Sequence, residues 1–237
     1  MRPNVVISVS ALAKSGKNHF AYTAPDPIKV FCFNGGADYV RTKFPEKKID
    51  IHNFTLPIID SEEQEWALPV WEEFYAEFRA DTDKGKYKTY VLDTATEVEN
   101  VCQQAVKEIK IDEAVDKGKT KTKLATSEFL ARNLKMKAIF DAAKNSGSNL
   151  ISLQYLKEEW IKERGHERAE PTGRNVMDGW KRTDTQADIN LEITLVERAG
   201  KWVSVFKVLP SRFDRDVTGM TVDDATFDDI MTLLIEE

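Results

Sequence analysis

Cysteine is scarce in this chain: Cys32 and Cys102 stand alone among 237 residues. Two thiols so far apart in sequence offer neither a disulfide framework nor a zinc-ligand cluster, and a reduced, cytoplasmic setting is expected. Long hydrophobic runs are missing too. No stretch approaches the roughly 20 apolar residues of a bilayer-spanning helix, so no membrane partner is expected. Met1-Arg2-Pro3-Asn4 passes into an apolar segment without a secretory h-region or cleavage site. Internal repeats and low-complexity linkers are absent. An excess of positive charge is lacking as well. The formal net charge of -6 argues against coating nucleic acid by bulk charge, while leaving room for a local basic channel.

What is present suits one α/β domain over 1–237, long enough to bury a substantial core. Strand-like apolar runs at 5–9, 28–33, 50–54, 89–93 and 149–154 alternate with helix-like segments, which predicts a mostly parallel central sheet flanked by helices. Trp66, Val70, Phe74 and Phe78 recur at helical spacing beside Trp71 and Tyr75. A helix is expected over 97–109, then an exposed loop over 112–123. The clearest helix spans 124–144, with Phe129, Leu130, Leu134, Met136, Ile139, Phe140 and Ala143 as its stripe. Residues 155–186 are charged and lack periodicity, which predicts a long loop. A C-terminal unit over 187–237 follows: a β-hairpin, 189–196 against 202–208 around Ala199-Gly200, and a closing helix over 226–235.

The first apolar run leads into Ala11-Leu12-Ala13-Lys14-Ser15-Gly16-Lys17-Asn18, with a short helix expected over 19–23. This nearly matches the phosphate-binding pattern G-x-x-x-x-G-K-[ST], in which backbone N–H groups cradle phosphates and the lysine reaches the β- and γ-phosphates. Gly16 permits close backbone approach and Lys17 neutralises charge; Lys14 and Ser15 line the loop. Ala11 replaces the first glycine, a mild change. Asn18 replaces the Ser/Thr whose hydroxyl holds Mg²⁺, so the metal should be held weakly. His19 is either a ligand contact or a surface residue of the helix. Asp93 closes the apolar run Tyr90-Val91-Leu92; alone it reads first as a helix N-cap or turn residue, but paired with the loop at 11–18 it reads as an acid that holds Mg²⁺ through water. ATP and Mg²⁺ are the cofactors this pattern implies.

Four segments together carry a family resemblance: Ala-x-x-Lys-Ser-Gly-Lys at 11–17, Val-Leu-Asp-Thr at 91–94, Leu-Gln at 153–154 and Lys-Val-Leu-Pro-Ser-Arg at 207–212. Over 5–235 the chain resembles the phage nucleotide-binding P-loop proteins, RecA-like ATPases of bacteriophages and prophages, some of which act in single-strand annealing. The resemblance implies a RecA-like P-loop NTPase fold, with Gly16 and Lys17 on phosphate and Asp93 as the acid of the second motif. It implies Gln154 as a γ-phosphate sensor; as residue chemistry alone, Gln154 reads equally as a buried amide. Such enzymes often carry a glutamate after the second strand, and here that stretch reads Asn34-Gly35-Gly36-Ala37-Asp38.

The resemblance also implies DNA contact by long loops, with single-stranded DNA, a single-strand-binding protein and further copies of the chain as partners. Lys157, Lys162, Arg164, Arg168, Arg174, Lys181 and Arg182, interleaved with Trp160 and Trp180, offer charge for phosphates and rings for bases. Neighbouring glutamates nearly cancel that charge, so a solvated, salt-bridged surface is the competing reading. Arg212 and Arg215 are candidate arginine fingers, or partners of Asp214, Asp216 and the acidic terminus. Three functions follow: a Mg²⁺-dependent ATPase in DNA recombination, annealing or replication; a degenerate nucleotide-binding module that acts by assembly; and a small-molecule or nucleotide kinase.

Overall fold

The computed structural model describes residues 3–58, 66–161, 168–212 and 216–235. In chain order the elements are β1 (Val6–Ala11), α1 (Lys17–Tyr22), β2 (Ile28–Cys32), α2 (Ala37–Arg41), β3 (Ile49–Asn53), α3 (Ala67–Asp83), β4 (Thr89–Asp93), α4 (Ala95–Val115), α5 (Phe129–Ser146), β5 (Asn149–Ile161), β6 (Glu170–Asp178), α6 (Thr183–Gln186), β7 (Ile189–Arg198), β8 (Lys201–Val208), β9 (Thr221–Asp223) and α7 (Phe227–Ile235).

One sheet organises them, in the order β3-β2-β4-β5-β1-β7-β8-β9, with β6 paired to the outer part of β5. The pairs from β3 through to β7 are parallel; β7 with β8, β8 with β9 and β5 with β6 are antiparallel. The central strands β1, β2 and β4 are buried on both faces, and apart from the buried Ser8, Ser10 and Lys29 their interior positions are apolar on either side. One face, bearing Ile7, Val9, Val91 and Ile151, packs against Phe20 of α1 and Phe227, Ile230, Met231 and Leu234 of α7. The other, bearing Phe31, Tyr90 and Leu150, packs against Trp71, Phe74, Phe78 and Phe140 of α3 and α5, with Val98 and Val101 of α4. The C-terminal ends of the parallel strands therefore open on one edge, where α/β sheets bind ligands.

This is the expected mostly parallel sheet with a C-terminal hairpin, and the hairpin joins the main sheet through β7 and β1. Three expectations need correction. The described part of 155–186 is mostly not loop: β5 runs on to Ile161 and pairs with β6, and α6 follows. A two-stranded ribbon beyond the sheet has no buried face, so nothing imposes the alternation that betrays a strand. The supposed loop over 112–123 begins as helix, because α4 continues to Val115 on a solvated tail braced by a Lys110–Glu113 ion pair of 2.7 Å. In α5 the buried face is Met136, Ile139, Phe140, Ala142 and Ala143; Leu130 and Leu134 from the expected stripe are exposed.

Candidate functional site

β1 delivers the chain to Ala11, and the following loop turns back on itself to start α1. Gly16 has φ 92°, a left-handed conformation in which glycine escapes the Cβ penalty. A Cβ there would also stand 2.8 Å from the Ser204 hydroxyl, which would have to swing aside. That hydroxyl donates to the Ser15 carbonyl at 3.2 Å, tying the loop to β8, while Ser15 Oγ donates to the Leu12 carbonyl at 2.8 Å. Lys17 Nζ donates to the carbonyls of Ala11 (3.2 Å) and Leu12 (3.0 Å) and lies 4.7 Å from the centre of the Tyr155 ring. Burial lowers its pKa to about 8, against the opposing pull of Asp93.

Asp93 ends β4 with no exposed surface. Both carboxylate oxygens are taken by side-chain amides: Asn18 Nδ2 reaches Oδ2 at 2.7 Å and Asn34 Nδ2 reaches Oδ1 at 3.0 Å. Burial raises the Asp93 pKa, opposed by these two hydrogen bonds and by Lys17. Asn34 also approaches the Tyr155 hydroxyl at 3.4 Å.

Above this cluster lies an open cavity of about 840 Å³, walled by Lys14, Ser15, Gly16, Lys17, Asn18 and His19 from the loop and α1. Asn34 and Tyr155 form part of the wall, with Tyr39, Val40 and Phe44 around α2, and Ser204, Phe206 and Asp224–Thr226 from the C-terminal unit. Its size falls within the ~300–1,000 Å³ typical of small-molecule sites, and it joins phosphate-type donors to apolar and aromatic walls.

The structure thus brings together Lys14, Ser15, Gly16, Lys17, Asn18 and His19, with Ala11 contributing a carbonyl beneath Lys17. Asp93 is in contact but lies behind the two amides rather than on the wall. Gln154 is not on the wall either. It is buried, accepts from Ser8 Oγ at 3.1 Å, and packs against Gly179, leaving Nε2 without a partner. Its neighbour Tyr155 is the residue of β5 that faces the cavity. Asn34, Tyr155 and Ser204 were not legible as site residues. Asn34 sits in a turn-like Asn-Gly-Gly, and only the pairing of Cys32 with Asp93 brings it beside the acid.

The donors here do not suit Mg²⁺ in the usual way. The position that should offer a hydroxyl oxygen offers an amide, and its NH₂ end must face Asp93, because the carbonyl end would be repelled by the carboxylate.

On the β5–β6 arm Trp160 is 58% exposed, and Arg168, Arg174, Lys181 and Arg182 are exposed. Lys157 pairs with Asp178 at 2.5 Å. Lys162 and Arg164 lie outside the described residues. Trp180 departs from its expected role: it is 2% exposed, packs 5.5 Å from Phe140 and donates Nε1–H to Asn133 Oδ1 at 3.0 Å. A ring enclosed on both sides cannot stack on a base. Arg212 pairs with Asp188 at 3.2 Å and donates to the Thr185 carbonyl at 3.0 Å; Arg215 and Asp214 lie outside the described residues.

The profile of a family described as an AAA domain matches residues 4–208, most of the chain. The chain belongs to this AAA domain family of P-loop NTPases. Among curated proteins no sequence matches it. Among solved structures, a KaiC-like protein of the hyperthermophilic archaeon Pyrococcus horikoshii OT3 shares the fold at 12% identity and a TM-score of 0.50, covering 93% of this chain and 84% of that one. The AAA domain match spans the loop at 11–18, Asp93 and the β5–β6 arm together. It stops before β9 and α7, and so before the segment Asp224–Thr226 between them, which supplies part of the cavity wall.

Proposed function

We propose that this AAA-domain protein is an ATP-binding RecA-like ATPase that handles single-stranded DNA, in the recombination, annealing or replication chemistry typical of phage. One observation carries the nucleotide reading. Lys17 and a left-handed Gly16 stand at the mouth of a parallel-strand edge, on the wall of a cavity of about 840 Å³. Lys17 is pre-positioned at the loop's own carbonyls, so it needs only to exchange those acceptors for phosphate oxygens. Lys14 beside it adds a second cation. The Phe44, Val40 and Phe206 side chains offer apolar surface to a base or ribose.

Support for the DNA part comes from the arm. An exposed Trp160 with Arg168 and Arg174 supplies a stacking ring and phosphate-binding cations. ATP itself is tested by calorimetric titration with its non-hydrolysable analogue AMP-PNP against wild type and Lys17→Ala. Binding by the wild type that Lys17→Ala weakens about tenfold or more supports the reading, and equal binding by both sinks it.

A second reading is favoured by a specific contact. Asp93 is sealed by Asn18 and Asn34, and the wall carries no glutamate after β2 among the described residues. A protein so built uses ATP as an occupancy signal, ordering loops or neighbouring copies by binding alone. Turnover in wild type no faster than in Lys17→Ala, with binding intact, selects this non-enzymatic module over the ATPase.

A further inference from the structure

We infer that this site takes its nucleoside triphosphate without recruiting Mg²⁺, because the Asn18 and Asn34 amides hold Asp93 in the place where a hydrated ion would bridge acid and phosphate. The inference rests on the ATP-binding reading above and concerns the chemical form of the ligand: the free, metal-less nucleotide.

In a metal-dependent phosphate loop the Ser/Thr hydroxyl is a direct ligand of the ion, the second-motif acid holds it through water, and the ion bridges β- and γ-oxygens. Each of these parts is altered here. The hydroxyl is replaced by Asn18, whose NH₂ group is committed to Asp93 Oδ2 at 2.7 Å. The second oxygen, Oδ1, is committed to Asn34 at 3.0 Å. Asp93 has no exposed surface, and it is the two amides, not the carboxylate, that line the cavity.

At Asn18 and Asn34 the wall therefore presents neutral amide groups to an incoming ligand in place of the Asp93 carboxylate. Mg²⁺ demands near-octahedral oxygen ligands and gives up water reluctantly. To bring its oxygen to the place beside Asp93 where the ion would sit, Asn18 must turn its NH₂ group away from the acid, which strips a buried carboxylate oxygen of its donor, a costly exchange. The amides also remove the usual reason for the metal. A bare carboxylate would repel phosphate, whereas one bound by two N–H donors has its charge partly offset. Positive charge for the triphosphate comes from Lys17 and Lys14, both on the wall.

The test is calorimetric titration of the full chain with AMP-PNP, once in excess Mg²⁺ and once in EDTA. Wild type is expected to bind with affinities that agree within about threefold between the two buffers. Asn18→Thr, which removes one amide and restores the hydroxyl, is expected to bind at least about tenfold more tightly in Mg²⁺ than in EDTA. Asn34→Ala should move in the same direction by freeing Oδ1. A wild type that loses about tenfold or more in EDTA overturns the inference while leaving the ATP site intact. Absence of wild-type binding in both buffers overturns the ATP-binding reading itself. Should either variant fail to show a thermal transition, the two wild-type titrations decide alone.

Discussion

Lys17 concentrates two opposed demands in one side chain. It must be charged to hold phosphate, yet burial lowers its pKa to about 8. Between pH 7 and 9 the empty site therefore sheds this proton, and a bound triphosphate calls it back. Affinity for AMP-PNP is expected to fall as pH rises through 8, with proton uptake on binding visible as a buffer-dependent heat. Stability moves the other way. The folded pKa lies below the unfolded value of 10.5, so the folded state binds fewer protons in that window, and this lysine's unfavourable contribution shrinks as pH rises from about 8 to 10.5. Replacing it separates the two effects. Lys17→Ala removes hydrogen bonds to a charged ligand, each worth about 1.5–3 kcal/mol, so affinity should drop roughly ten- to a hundredfold or more. The melting temperature should change little, because in the empty protein the contacts of the ammonium with two loop carbonyls, the Tyr155 ring and Asp93 are offset by the cost of burying its charge. Calorimetry and a thermal melt read the two separately.

At the scale of elements, the β5–β6 arm and its root behave as different materials. The root is core: Trp180 lies against Phe140 and is anchored to Asn133 of α5. Truncating so large a buried ring costs about 3–5 kcal/mol, so Trp180→Ala should lower the melting temperature by several degrees or more while leaving the outer arm's surface chemistry unchanged. The outer arm is surface. Trp160→Ala should leave stability unaltered and cost about 1–3 kcal/mol of single-stranded DNA binding if the ring stacks on a base. Arg174→Ala should flatten the salt dependence of that binding by about 0.7 in log–log slope for its lost phosphate contact. Fluorescence anisotropy of a labelled oligonucleotide across a salt series measures both, and unchanged affinity and slope would assign the arm to a solvated surface. Thr96 marks the junction. Its hydroxyl meets the Asp178 carbonyl and accepts from the Tyr155 N–H at 3.1 Å, so the arm is fastened at the start of α4, directly after the Asp93 strand.

For the whole molecule, the last elements complete both the core and the site. Phe227, Ile230, Met231 and Leu234 of α7 cover the face formed by β1, β5 and β7. The Phe227 N–H donates to Thr23 Oγ1 at 2.7 Å, joining α7 to the end of the helix that begins at Lys17. Asp224, Ala225 and Thr226 reach the cavity wall from the same segment. A chain cut after Val208, where the family match ends, should therefore expose a contiguous apolar face. Loss of a cooperative melt, or insolubility, is the expected result. A truncated chain with a wild-type melt and nucleotide affinity would show that α7 is dispensable.

The phosphate loop, the alternation of strands and helices and the acid at the end of β4 were legible in the sequence because they depend on local chemistry. Glycine's freedom at position 16, the apolar runs of doubly covered strands and the helical spacing of Trp71, Phe74 and Phe78 are carried by neighbouring residues. What the residues do to one another across the sheet was decided only in three dimensions. The β5–β6 ribbon has no buried face to leave a pattern, and Trp180 reads the same whether its ring is free or enclosed. Asn34 and Tyr155 reach the site through strand pairing between segments far apart in the chain. The sequence by itself determined that a P-loop pattern stands at 11–18 and which of its usual residues are missing from it. Tertiary structure decided that the missing hydroxyl is replaced by an amide facing Asp93, because only the closure of β1, β2 and β4 into one sheet brings Asn18, Asn34 and Asp93 within hydrogen-bonding distance.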